Sequence, residues 1–128
     1  MSGEYKMEWD DSNPIVTFFG DVTFKDIMEA NDRIIGDRRF DSMVYQVFDF
    51  THSDHVEFPD GYAKIIARLD SSSSTWNRNV RVATVSPDSK VRDRIEEYNA
   101  MMKTSPWKTK TFKAFDEALA WCKLQNNN

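Results

Sequence analysis

The 128-residue chain is 40% hydrophobic and 13% aromatic, enough to bury one core, which excludes intrinsic disorder as a global description. Its formal net charge of −4 argues against a nucleic-acid binder that works by neutralising phosphates, and a single cysteine, Cys122, excludes an intramolecular disulfide. No apolar run approaches the roughly 18 residues of a membrane helix, and residues 1–11 lack the layout of a secretory signal, so the expectation is one cytoplasmic domain over 1–128 with an ordered core of about 4–125.

Residues 4–10 alternate polar and apolar through Tyr5, Met7 and Trp9, the pattern of a half-buried strand. Asp11, Ser12, Asn13 and Pro14 are turn formers, and the run from Ile15 to Gly20 follows as a second strand, which predicts an antiparallel hairpin with a four-residue connection. Thr23 with Asp26 three residues on spells a capping box with a shortened acid, and Val22 and Ile27 occupy the positions of a hydrophobic staple. The helix so started has Phe24, Ile27, Met28, Ile34 and Ile35 on one face and Gly36 at its end. Asn31 falls within that face, either at its margin or directed into a pocket.

A polar connection, residues 37–42, leads to a central strand at 43–48, where β-branched and aromatic residues dominate a run too short for a typical helix. Asp49 is expected to end that strand and to open a loop holding Thr51, Ser53, Asp54 and both histidines, His52 and His55. Pro59 suits the first turn of a second helix, in which Tyr62, Ile65, Ile66 and Leu69 recur at helical spacing. That register either continues through the serines at 71–74 toward Trp76 or gives way to loop there, serine being a poor helix former. Residues 80–85 read as a strand, and Ser86, Pro87 and Asp88 as the start of a third helix with proline at its first position. Val91, Ile95, Tyr98 and Met102 mark its buried face, and residues 104–106 end it. A last strand at 110–115 precedes a short helix capped by Asp116, with Ala118, Leu119 and Cys122 inward. The asparagines at 126–128 are expected to be disordered.

The order β-β-α-β-α-β-α-β-α predicts an α/β open sheet of five strands, parallel except for the first, with right-handed crossovers. Thr17, Gln46, Arg81 and Lys113, polar at alternate strand positions, predict that one sheet face is only partly covered and that the helices gather mainly on the other.

This order, together with VTFFGDVTFKDIMEA at 16–30, the strand ending in Phe48-Asp49, VRVATVSPD at 80–88 and FDEALAWC at 115–122, resembles the SpoIIAA-like family, related in fold to STAS domains and to the CRAL-TRIO lipid-binding domain. The resemblance spans residues 5–124 and implies a βα superhelix with an open sheet. It also implies non-catalytic roles, either regulatory partner binding or lipid carriage. The STAS switch carries Asp-Ser-Ser at the start of the helix after the third strand; here that region reads His55-Val56-Glu57-Phe58-Pro59, so the phosphoacceptor serine is missing.

His52 and His55, with Asp49, Asp54 and Glu57 nearby, offer the imidazoles and carboxylates that bind zinc or iron. An i, i+3 spacing in a loop lacks the one-face geometry of a helical i, i+4 pair, and two solvated histidines are the plainer reading. The sequence holds no G-x-S-x-G, no glycine-rich phosphate loop and no CxxC, and Cys122 reads as a small buried thiol. Lys103, Lys108, Lys110 and Lys113 around Trp107 either attract an anionic headgroup or strand or keep an edge strand soluble.

The expectation is therefore a protein that is not an enzyme and takes no cofactor. It would be a ligand-binding or regulatory module for a lipid-like or small anionic ligand or for a protein partner, with no nucleic acid and no transmembrane segment. A metal-dependent hydrolase centred on His52 and His55 is the alternative, and a homodimer through the sheet face or an edge strand is left open. The binding site is expected where the loop of Asp49, Phe50, Thr51, His52, Ser53 and His55 meets the start of the second helix, with Phe58 and Tyr62 as apolar wall. Free helix N–H groups there would favour an anion, and the histidines would strengthen its binding as they charge below about pH 6.5.

Overall fold

Five strands join one sheet in the order in which the chain makes them: β1 (Glu4–Asp10), β2 (Asn13–Val22), β3 (Tyr45–Val56), β4 (Arg81–Val85) and β5 (Lys108–Phe112). The structure, a computed structural model, describes residues 4–124, so the expectation for residues 126–128 lies outside the described residues. β1 runs antiparallel to β2 and every later pair is parallel. The four principal helices are α1 (Phe24–Ile35), α2 (Tyr62–Ser73), α3 (Ser89–Met101) and α4 (Phe115–Cys122).

This topology decides where the helices go. A right-handed crossover between parallel neighbours places its helix on a face set by the direction in which the next strand is added. Here every strand is added on the same side of its predecessor, so α1, α2 and α3 share one face. They bury Ile27, Ile34, Ala67, Ile95 and Tyr98 against Val16, Phe18, Phe48, Phe50 and Val82 of the sheet. α4 alone turns to the opposite face, where Ala118 and Cys122 pack on Tyr45, Val47, Ala83 and Val85. The five-stranded, mainly parallel sheet with helices gathered on one face is as the sequence leads one to expect. Of the four residues behind that expectation, Thr17 and Arg81 point to the α4 side as required. Gln46 does not: it is buried beneath the three helices, and Lys113 lies beyond the end of β5.

The hairpin turn is two residues, Asp11 and Ser12, rather than four. Asn13 and Pro14 belong to β2 because buried Asn13 has work inside the sheet: its Nδ2 donates to the Asp10 carbonyl at 3.0 Å, and its Oδ1 accepts from the backbone N–H of Val44 and Tyr45 at 2.8 and 3.1 Å. Asp11 takes the left-handed conformation, φ +54°, that a short polar side chain tolerates. At the other end of β2, Gly20 (φ +67°) sits where the register with β3 shifts.

The largest departure from the sequence reading is the length of β3. Asp49 does not end the strand, and the segment expected as a loop continues it to Val56. β2 reaches Val22 and keeps pairing, Phe19 with His52, Gly20 with Ser53, Asp21 with His55 and Val22 with Val56. Polar residues are tolerated there because β4 pairs only with Tyr45–Asp49, which leaves the second half of β3 as an edge.

Both later prolines stand outside their helices. α2 starts after Gly61 (φ +80°), two residues beyond Pro59, and α3 is capped by Asp88, whose carboxylate accepts from the Lys90 N–H at 2.9 Å, so Pro87 precedes the cap. α2 does continue into the serines: the hydroxyls of Ser73 and Ser74 donate to the carbonyls of Leu69 and Ser71 at 2.8 and 2.6 Å, and the helix closes at Ser73. Just beyond, Asn77 pins the chain by donating from Nδ2 to the carbonyls of Phe40 and Met43 and accepting from Trp107 Nε1, while Trp76 stands 82% exposed. β5 ends three residues earlier than expected, so α4 begins at Phe115 with Asp116 in its first turn and not at its cap.

The start of α1 is as the sequence predicts. Thr23 Oγ1 accepts from Asp26 N at 3.2 Å, and Asp26 Oδ2 accepts from Thr23 N at 2.9 Å. Glu57 adds a third bond across the fold, its Oε1 accepting from Phe24 N at 3.1 Å. Replacing Thr23 by alanine removes one of these acceptors and is expected to destabilise the protein by about 1 kcal/mol. Urea unfolding should show a lower midpoint at unchanged slope; an unchanged midpoint would mean that the cap contributes nothing.

Candidate functional site

The overhanging half of β3 lies at the carboxyl end of a parallel sheet, the position at which open α/β folds place their ligands. There a groove of about 260 Å³ runs between β3 and the β4–α3 connection. Phe50, Val56, Phe58 and Val91 supply apolar wall, Lys90 and Arg94 supply cationic groups, His55 supplies an imidazole, and Asp54 and Asp88 supply carboxylates. Arg94 is held in place: Nη2 donates to the Phe58 carbonyl at 3.0 Å, the guanidinium lies over the rings of Phe58 and Tyr62, and Nη1 meets Glu97 at 3.0 Å.

Of the residues singled out in the sequence, Phe50, Thr51, Ser53, His55 and Phe58 line this groove. Asp49 is turned away from solvent, its Oδ1 accepting from the N–H and hydroxyl of Thr51 at 2.9 and 2.5 Å. Ser53 Oγ donates to the Phe50 carbonyl at 2.6 Å. His52 is not in the groove: it stacks on Phe19, ring centroids 5.7 Å apart. The two histidines are thus parted, and among the described residues no three His, Cys, Asp or Glu side chains group as metal ligands. α2 begins at Tyr62, three residues beyond Pro59, and the Tyr62 N–H donates to the Pro59 carbonyl at 3.1 Å. Cys122 is buried and its thiol pushed up to about 12, mainly by burial, so it is no ready nucleophile.

Tyr62 faces inward, into a second cavity of about 50 Å³ between the sheet and α1, α2 and α3. Its exposed lining is almost wholly apolar (Ile27, Phe48, Phe50, Ile66, Val82 and Ile95), and the residues around it include Asn31 of α1, Tyr62 and Asp70 of α2, Tyr98 of α3, Gln46 of β3 and Thr84 of β4. Asp70 is the centre of that set. Only 2% exposed, its carboxylate accepts from Tyr98 Oη at 2.5 Å and from Asn31 Nδ2 at 3.3 Å, tying α2 to both neighbouring helices. Burial raises its pKa to about 6 against the smaller opposing effect of those two donors, and burial followed by the Asp70 charge raises Tyr98 well above the ordinary phenol. The Tyr62 hydroxyl is buried without a hydrogen-bond partner, a condition that costs a folded protein about 1–3 kcal/mol. Burial, reinforced by the charge of Glu97, pushes it up to about 12.

The sequence reading named Asn31 and Tyr62 but passed over Asp70, Gln46 and Thr84 as cavity residues and Lys90 and Arg94 as groove residues. Asp70 was detectable: it stands four residues after Ile66 and eight after Tyr62, so it shares their helix face.

The fold is SpoIIAA-like. The chain is similar to the anti-sigma factor antagonist SpoIIAA in its unphosphorylated form, with a TM-score of 0.59 at 11% identity over 91% of this chain and 94% of that one. It is also similar to an anti-sigma factor antagonist from Mycobacterium paratuberculosis (TM-score 0.55, 18% identity, 94% of both chains). An uncharacterised protein with a SpoIIAA-like fold from Shewanella loihica gives a TM-score of 0.53 at 14% identity over 94% of this chain and 93% of that one. No protein-family model matches the sequence, and no curated protein matches it. Among the described residues no helix is long and apolar enough to cross a membrane.

The Asp70 cluster has a pH signature. Because its pKa is higher folded than unfolded, between about pH 4 and 6 the folded state holds a proton that the unfolded chain has released. Stability from this group therefore falls as pH rises through that window and is level above it, by on the order of 2–3 kcal/mol in all. Asp70→Asn should abolish that component. Urea midpoints of both proteins from pH 4 to 8 would show it as the difference between the two curves; parallel curves would exclude it.

Proposed function

We propose that this protein is a non-catalytic regulatory module that binds a protein partner across the groove beside the overhanging half of β3. The observation that carries the reading is the overhang itself. A strand paired on one side only, at the carboxyl end of the sheet, runs beside Phe50, His55 and Phe58 and the charges of Lys90 and Arg94, although the Thr51 N–H and the Phe50 carbonyl are already bonded to the side chains of Asp49 and Ser53. An extended segment of a partner finds there both main-chain hydrogen bonds and side-chain pockets, the two ingredients of strand addition. Two of the structural neighbours are anti-sigma factor antagonists, which supports a regulatory partner, although Pro59, Asp60, Gly61 and Tyr62 offer no serine at the start of α2 for a phosphorylation switch. A small anionic or lipid-like ligand in the same groove is the second reading, favoured by the Lys90 and Arg94 cations next to apolar wall.

Charge reversal tests the place. His55→Glu with Lys90→Glu changes two groove side chains and leaves the core alone, whereas Lys64→Glu alters an exposed position of α2 outside the groove. In affinity capture from the native cell with quantitative mass spectrometry, a partner held by wild type and by the Lys64 variant should be depleted about tenfold by the groove variant. Equal capture by all three proteins, or catalytic turnover that the groove variant abolishes, would overturn the proposal.

A further inference from the structure

The two edges of the sheet are armed differently. Among the described residues β1 forms one edge and β5 the other, each paired on one side only. On β5 the exposed Lys108 and Lys110 follow one another in a single row, so the same strand of a second copy laid along it would set lysine against lysine. β1 carries both signs in its exposed row, Glu4, Lys6 and Glu8, and half-buried Tyr5, Met7 and Trp9 in the other. The hairpin turn pairs Asp10 with Asn13, and bonded pairs alternate along an antiparallel ladder. Glu4, Lys6, Glu8 and Asp10 therefore bond to β2, while Tyr5, Met7 and Trp9 turn their backbone N–H and C=O outward. Pro14, which has no N–H to give, stands opposite Trp9, where the ladder asks for none.

We propose that the outer edge of β1 is a homodimer interface, in which two copies of the strand pair antiparallel about a twofold axis at Met7. In that register outward residues meet outward residues, Tyr5 with the partner's Trp9 and Met7 with the partner's Met7, and each pair exchanges both backbone hydrogen bonds. On the exposed face Lys6 meets the partner's Glu8, and Glu8 the partner's Lys6. On the other face Tyr5 and Trp9 form an aromatic pair at each end. A slip of two residues in either direction sets Lys6 on Lys6 or Glu8 on Glu8, so charge selects the register. The end pair, Glu4 with the partner's Asp10, is acid on acid, and it is offset by Lys123, whose Nζ lies 3.5 Å from Asp10. Such a contact is self-complementary and closes at two copies, doubling the five-stranded sheet. The groove beside β3 lies two strands away, and the inference does not depend on what it binds.

Charge exchange tests the register. The Lys6 and Glu8 side chains are 64% and 61% exposed, and the 3.2 Å ion pair they make within one copy contributes little to stability, so both positions can be changed without unfolding the chain. In sedimentation equilibrium from about 1 to 500 µM, wild type is expected to dimerise. Lys6→Glu opposes acid to acid at both crossings and Glu8→Lys opposes lysine to lysine, so each should weaken the dimer about tenfold. The double variant Lys6→Glu with Glu8→Lys should recover wild-type dimerisation, and an equimolar mixture of the two single variants should form a mixed dimer. A monomer at every concentration overturns the proposal, as does an assembly that grows beyond two copies. So does a dimer that the single variants leave unchanged or that the double variant fails to restore.

Discussion

β3 is 12 residues long and β4 is five, and much of what is particular to this protein follows from that mismatch. A parallel sheet of matched strands would end in a row of short loops. Here one strand runs on by seven residues after its neighbour has stopped, held by β2 alone. The overhang carries Phe50 onto Phe18, where the rings stack at 4.6 Å, and so roots an exposed edge in the centre of the core. It brings Glu57 back to Val22 and to the start of α1, closing the ladder with a 2.8 Å backbone bond. It also sets the groove between itself and α3. Support and site are the same piece of chain.

The three-helix face is unusual in the polarity of what it buries. Helices packed on a sheet can be joined by apolar contacts alone, at lower desolvation cost than a buried carboxylate incurs. The Asn31–Asp70–Tyr98 set instead fixes α1, α2 and α3 to one another through directional bonds, which specify a register that interchangeable aliphatic side chains leave loose. On the other face Ala118 and Cys122 of α4 cover Val47 and Val85, and Arg81 of β4 donates from Nη1 to the Trp121 carbonyl at 2.6 Å.

Element order, sheet direction, helix placement and the Thr23 capping box were all legible in the sequence, because each rests on local chemistry or on a chirality rule that holds without tertiary detail. Strand length was not. Residues 49–55 are polar and read as loop, and only the length of β2, a non-local fact, makes them a strand. Pro59 and Pro87 were placed inside helices that they precede, because glycine at 61 and aspartate at 88 made better boundaries. The groove was legible as a region, since Phe50, Thr51, Ser53, His55 and Phe58 do come together. His52 was not separable from His55 on paper, because which of them meets Phe19 and which lines the groove depends on the irregular pairing of β3 with β2. Asn31 and Asp70 sit 39 residues apart, and no sequence pattern announces that an amide and a carboxylate on two helices will meet.

The chain-order sheet has a further consequence, for how the protein assembles. Every strand lies beside the one made just before it, so no pairing has to wait for a strand synthesised later, and each parallel pair closes only its own connecting loop. The entropic cost of closure grows slowly with loop length, and rates of folding fall as contacting residues become more distant in sequence. Greek-key and doubly wound sheets must bring remote strands together before their centre is complete. This sheet can lengthen one βα unit at a time from the β1–β2 hairpin, and α4, the one helix on its own face, has its whole footing ready when it arrives.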